Sequence, residues 1–187
     1  MADFFWTDGT AQDPKRAFRF IVMVTPDADG AALPAYTAKK VTKPSFSLAE
    51  SEHQYLNHTF YYPGRLTWNT VTLTLVDPVN PDAAESLVKI INEGGYSPAN
   101  NAEDYITMSK SKAKSALGKF EIVQIDSDGN HVETWELHNA WVKDAKFGDL
   151  AYDSDDLTEV ELEILLIASP ISAEIGKTSM FFTFFVL

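Results

Sequence analysis

The chain contains no cysteine. That excludes a disulfide framework and any thiolate metal site. Basic side chains are also scarce: Lys plus Arg is 15 against 27 for Asp plus Glu, a formal net charge of −12. A chain this acidic repels nucleic acid through its overall field, so non-specific phosphate binding is not an expected activity. Long apolar runs are missing too. The most apolar tract, "MFFTFFVL" at Met180–Leu187, falls far short of the ~20 residues a membrane helix needs. The first residues, "MADFFWTDGTAQDPKR", lack a basic stretch followed by an apolar one, so they do not read as a secretion signal. The expectation is a soluble protein made in the cytoplasm and not inserted stably in a membrane.

Catalytic signatures are equally thin. There is no GxSxG, Walker A or GxGxxG pattern. His53, His58, His131 and His138 show no metal-ligand spacing. "DSDGNH" at Asp126–His131 starts like a calcium loop, but His131 stands where the sharp turn wants Gly and Leu137 where a bidentate Glu belongs. Its flanks read as strands, so a hairpin turn explains it better. "DSDD" at Asp153–Asp156 reads as a solvated loop. No enzyme activity, metal or cofactor is expected.

What is present is a core and strands to build it. Apolar residues make up 45% of 187 positions, enough for one domain that buries roughly 70% of its unfolded surface. "RAFRFIVMVT" is a strand, and Val71, Leu73 and Leu75 alternate with threonines in a second. Tyr62-Pro63-Gly64-Arg65 reads as a turn. "NPDAAESLVKIINEGG" reads as a helix over about 81–93, with Asn80 as cap and Ala84, Leu87, Val88 and Ile91 as its apolar face. The polar stretch from Tyr96 to Gly118, with its basic run "KSKAK", reads as a loop with room for a short helical turn. "KFEIVQIDSDGNHVETWEL" reads as a hairpin turning at Asp128-Gly129, which pairs Ile122 with Trp135, Phe120 with Leu137, and Glu121 awkwardly with Glu136. "LTEVELEILLI" is the last strand. The fold class is therefore mainly β (α+β): an antiparallel sandwich or partly open barrel with one packed helix. The divisions are an arm at 1–16, the β domain at 17–168 and a C-terminal extension at 169–187.

One segment breaks the pattern. "SFSLAESEHQY", Ser45–Tyr55, begins as a core strand with Phe46 and Leu48, then continues on the same face with Glu50, Glu52 and Gln54. It outruns its own core. Aromatic clusters at both ends, Phe4-Phe5-Trp6 and Phe181, Phe182, Phe184 and Phe185, also lack an obvious anchor. Uncovered strands and apolar arms favour self-assembly. The alternative from a different class is a carbohydrate-binding β-sandwich with Trp and Tyr platforms, built from Trp68, Trp135, Trp141 or Tyr152.

The blocks "FRFIVMV", "AKKVTKPSFSLAE", "YYPGRLTWNTVTLTLVD" and "WELHNAWVKDAKFGDLAYDSDDLTEVELEI" together resemble the tail tube proteins of contractile-tailed bacteriophages. The resemblance runs over most of Arg16–Ile167. It implies hexameric rings stacked into a hollow tube, with strands of each subunit joining an inter-subunit β-barrel. It further implies sheath, baseplate and tape-measure partners, and DNA that transits the lumen without sequence-specific binding. The location implied is a virion tail assembled in the host cytoplasm. A tube that delivers protein instead of DNA is the near alternative. Under this resemblance Glu50, Glu52, Glu121, Glu133 and Glu136 are candidates to face the lumen. Phe4, Phe5, Trp6, Phe181, Phe182, Phe184 and Phe185 are candidates for contacts between subunits or rings.

Overall fold

A computed structural model describes residues 14–25, 35–80, 82–96, 107–153, 155–175 and 178–181. Eleven strands form three antiparallel groups. β1 (Phe20–Thr25), β6 (Lys119–Ile125), β7 (His131–Leu137), β10 (Ile171–Ile175) and β11 (Thr178–Phe181) make one sheet in that order. β2 (Ala38–Val41), β5 (Val71–Val76), β9 (Glu159–Leu165) and β8 (Trp141–Lys146) make the second, ordered β2-β5-β9-β8. Among the described residues, β3 (Phe46–Tyr55) and β4 (His58–Trp68) pair only with each other. Among the described residues no sheet closes into a barrel.

The core lies between the first two sheets. Val22, Val24, Phe120, Ile122 and Leu137 come from one, and Val71, Leu73, Leu75, Val160, Leu162 and Ile164 from the other. Period-two alternation explains both sets, and β5 and β9 run buried, half-buried, buried along their whole length. On β9 the opposite face carries Glu159, Glu161 and Glu163, which meet Lys39, Lys146 and Lys143 respectively.

Two helices plug one side of the core, where the sequence suggested one. α1 (Ala83–Glu93) is capped by Asp82, whose carboxylate accepts from the Glu85 amide at 3.0 Å, not by Asn80. Asp77 Oδ1 accepts from the Ala83 amide at 3.0 Å, so two carboxylates serve amides the helix leaves free. Its buried face is Ala83, Ser86, Leu87 and Ile90, one step round from the expected stripe, and Val88 is exposed. Gly94 and Gly95 end it, Gly95 at φ +102°. α2 (Lys110–Leu117) occupies part of the stretch expected to be loop. Ser109 caps it by accepting from the Lys112 amide at 3.2 Å, and Gly118 closes it at φ +66°. Only Ala116 and Leu117 are buried, which is why its apolar periodicity is so faint.

Other departures are local. Within the C-terminal extension, β10 pairs with β7 and β11 with β10. The expected register of the β6–β7 hairpin holds for Phe120↔Leu137, Glu121↔Glu136 and Ile122↔Trp135, with an irregularity only next to the turn. There Asp126 Oδ1 accepts from the Asp128 and Asn130 amides at 2.8 and 2.9 Å, and the Asn130 side chain donates to Oδ2. That Asn130 contact is the chief reason the Asp126 carboxyl titrates below its ordinary value.

Candidate functional site

The β3–β4 hairpin is the feature that the core does not explain. Every residue from Phe46 to Leu66 that sits in these strands is exposed. Tyr62-Pro63-Gly64-Arg65 is not the turn. The chain turns at Leu56-Asn57, Leu56 adopting φ +52°, and Pro63 and Gly64 lie inside β4 at a bulge. Leu48 faces Leu66 and Glu50 faces Pro63, so Gly64 and Arg65 together oppose Ala49. The bulge suits both residues. Proline is tolerated where a ladder bond is already lost, and a Cβ on Gly64 would stand 2.9 Å from the Ala49 carbonyl oxygen.

The two faces of the ribbon differ. One carries Phe46, Leu48, Glu50, Glu52 and Gln54 opposite Trp68, Leu66, Pro63, Tyr61 and Thr59. The other carries Ser51, His53 and Tyr55 opposite Tyr62, Phe60 and His58. So the first face is apolar at the root and acidic beyond it, while the second is aromatic and imidazole-rich. The root is tied to the body by Trp68, which packs against the core and meets Phe46 edge-on at 5.6 Å. Asn69 holds Ser45 through its amide at 2.8 Å and its side chain at 3.0 Å.

The candidate carboxylates fall into three places. Glu50 and Glu52 share the exposed ribbon face, and among the described residues neither has an ion-pair partner. Glu121 and Glu136 sit opposite each other on the outer face of the five-stranded sheet. Lys119 relieves their repulsion, reaching Glu121 at 2.8 Å and Glu136 at 3.9 Å. The hydrogen bond to Glu121 is the main reason the Lys119 ammonium titrates above its ordinary value.

Glu133 belongs with neither pair. It lies three positions from Glu136 and therefore points to the opposite, core-facing side of β7. Its side chain is only 9% exposed, against 37% for Glu136. It accepts from Lys15 and from Trp135 Nε1, and from Lys43 at 2.9 Å. Burial opposes its charge, but the bonds from Lys15, Lys43 and Trp135 outweigh that and hold its pKa down to about 2. Glu133 is thus a hydrogen-bonded, largely buried anion.

Of the aromatic arm candidates, Phe181 lies in β11, its backbone paired with Ser172. Phe4, Phe5, Trp6, Phe182, Phe184 and Phe185 lie outside the described residues. Trp68 and Trp135, two of the possible sugar platforms, are partly buried and pack against the core. Among the described residues no group of three or more His, Asp or Glu side chains could hold a metal ion, and no helix is long and apolar enough to cross a membrane.

No family model matches the sequence, and no curated protein matches it either. Solved structures do match in fold. A chain of the anti-feeding prophage baseplate, from a six-fold symmetrised reconstruction, superposes with a TM-score of 0.64 at 14% identity, covering 87% of this chain and 97% of that one. A chain from the sheath/tube terminator of an extracellular contractile injection system gives 0.63 at 19% identity, covering 87% and 99%. Another from a sheath-tube complex of such a particle gives 0.60 at 18%, covering 87% and 94%. This chain has the fold of contractile-tail tube and terminator proteins. Within that fold, and among the described residues, the ribbon strands β3 and β4 have no partner strand but each other.

Proposed function

We propose that the chain is a non-enzymatic structural subunit of the tube in a contractile particle. Identical copies assemble into rings, six to a ring, and the rings stack around a hollow lumen. The observation that carries this reading is the β3–β4 ribbon: two strands whose outer edges are open among the described residues, with Phe46, Leu48, Phe60, Tyr61, Tyr62 and Leu66 exposed. A two-stranded ribbon is marginal alone in water, and open apolar edges invite strand pairing. A ring closes such edges. The tube-type fold and the six-fold reconstruction of one matching particle support the same arrangement.

In this arrangement Glu50 and Glu52 face the lumen, with Glu121 and Glu136 as the second acidic pair. Unpaired carboxylates keep a phosphate-rich cargo from adhering to the wall. The matching structures come from extracellular injection particles, which favours protein as cargo, whereas the bacteriophage resemblance favours DNA. Sheath outside the tube, baseplate at its end and tape-measure protein within it are the partners of this reading, in a tail assembled in the host cytoplasm. The aromatic arms bridge rings. Deleting 182–187 tests the C-terminal arm cleanly, whereas a cut at Ser179 would also remove β11.

Negative-stain microscopy and sedimentation of concentrated purified protein test the proposal. Rings or tubes of uniform diameter are expected. Material that stays monomeric at every concentration would overturn it, and specific glycan binding by that monomer would favour the carbohydrate-binding alternative.

A further inference from the structure

We propose that Glu133 is a positioning residue that fixes the direction in which the β3–β4 ribbon leaves the sandwich. The geometry starts from the inner face of the five-stranded sheet. Its rows run Val24–Phe120–Leu137, then Val22–Ile122–Trp135, then Phe20–Gln124–Glu133. The first two rows are core. The third turns polar: Gln124 and Glu133 are each 8% exposed and close one end of the sandwich.

The ribbon root docks there. Lys43 lies between β2 and β3, next to Pro44. Its ammonium donates to Gln124 Oε1 at 2.7 Å and to Glu133 Oε1 at 2.9 Å. The neighbouring Thr42 is tied to the other sheet: its amide donates to the Thr72 carbonyl at 2.9 Å, and its hydroxyl accepts from the Thr72 amide at 2.8 Å. Consecutive residues at the root are thus fastened to opposite sheets. Glu133 also takes Lys15 on its other oxygen, and Gln124 donates to the Arg16 carbonyl at 3.2 Å, so the N-terminal segment is fastened at the same point.

Stability alone is a weak reason for such an arrangement. A buried ion pair is often no better than well-packed apolar residues of the same volume, and its better-attested use is to specify one geometry. Here the geometry matters because the lever is long. A ribbon of about ten residues per strand reaches ~35 Å, so a swing of about 10° at the root moves its tip by ~6 Å. That exceeds the 4.8 Å spacing between paired strands, enough to lose a neighbour's edge.

The significance for assembly rests on the tube reading, but the positioning claim stands on a measurement within one copy. Because the chain has no cysteine, Ser51→Cys on β3 and Ser127→Cys at the β6–β7 turn introduce two unique labelling sites on exposed positions. Doubly spin-labelled protein, diluted into unlabelled chain, gives the distribution of distances between ribbon and sandwich. A narrow distribution is expected for the parent and for Lys43→Arg, which keeps the charge. A broadened or shifted one is expected for Lys43→Met and Glu133→Gln, with far-UV circular dichroism unchanged. Lys43→Met carries the test if Glu133→Gln fails to fold, since the Lys43 side chain is about half exposed. An unchanged narrow distribution in the folded Lys43→Met protein overturns the proposal, whether or not that variant forms rings. Failure of the parent to form rings would instead strike the tube reading and leave this one standing.

Discussion

The sandwich and the ribbon are built from similar residues and obey opposite rules. β5 buries Val71, Leu73 and Leu75 almost completely, while β3 and β4 expose Phe46, Leu48, Tyr61 and Leu66 by about half or more of their surface. Alternation alone cannot tell these strands apart, because both offer an apolar face. The difference is in what lies opposite. Leu73 faces Leu162 across a ladder inside a four-stranded sheet, and a second sheet covers both. Leu48 faces Leu66, and among the described residues no second sheet covers either. Strand length beyond the core, more than composition, is what separates the ribbon from the sandwich.

The sharpest way to break this comparison is to truncate one leucine in each region. Leu73→Ala removes buried methyls from a packed site and is expected to cost ~2–5 kcal/mol of unfolding free energy by denaturant titration. Leu66→Ser in β4 is expected to change monomer stability by no more than ~0.5 kcal/mol, since the side chain is already half exposed. Yet it should abolish rings by microscopy. Equal stability losses from the two variants would show that the ribbon packs on its own body, and the distinction drawn here would fail.

A second test uses pH. Glu133 is ionised in the folded chain down to a pKa of about 2, from an ordinary value of 4.5. A depressed carboxyl pKa contributes stability that is complete above the unfolded value and lost as pH falls through the folded one. The window is therefore about pH 4.5 to 2. The shift alone corresponds to ~3 kcal/mol, but Lys15 and Lys43 are about half exposed, so solvent screening reduces the expected contribution to ~1–2 kcal/mol. Glu133→Gln should flatten the acid limb of the stability curve in that window. If its curve parallels the parent's, Glu133 gains nothing from its lysines in the folded state.

Much of this was legible in the residues. The β6–β7 register followed from Asp128-Gly129, and β9 followed from the alternation of Val160, Leu162 and Ile164. The errors share a cause: side chains whose partners are distant in sequence. The burial of Glu133 could not be read from its neighbours alone, because its partner Lys43 is 90 residues away. α2 was hidden because its apolar face is only Ala116-Leu117, although Ser109 and Gly118 are ordinary start and stop residues. Pro63-Gly64 looked like a turn because the same residues serve a bulge, and only the partner strand decides which.

The helix cap offers a smaller effect of the same kind. Asp82→Ala deletes the acceptor for the Glu85 amide, while Asp77 still serves Ala83 and Ala84. The expected loss is ~1 kcal/mol in thermal or chemical unfolding, with ring formation intact because α1 lies on the core side of the comparison. Asn80→Ala, changing the residue that looked like the cap, should be close to neutral.

The smallest effect is expected on the outer face of the four-stranded sheet. Lys146 and Glu161 are cross-strand partners 3.3 Å apart, and Lys143 meets Glu163 at 3.0 Å. The Glu161 hydrogen bond is the main cause of the raised Lys146 pKa. Exposed pairs of this type are screened by solvent and salt and contribute little to folding. Lys146→Met should therefore leave monomer stability close to the parent's, with any difference shrinking further at high salt. Its consequence for assembly is what sharpens the contrast with the ribbon. Uncompensated Glu161 adds negative charge to an already acidic body, far from the β3–β4 strands in the topology. Rings should still form, as judged by sedimentation. If they do not, the assembly surface extends over this ladder, and the ribbon is only part of it.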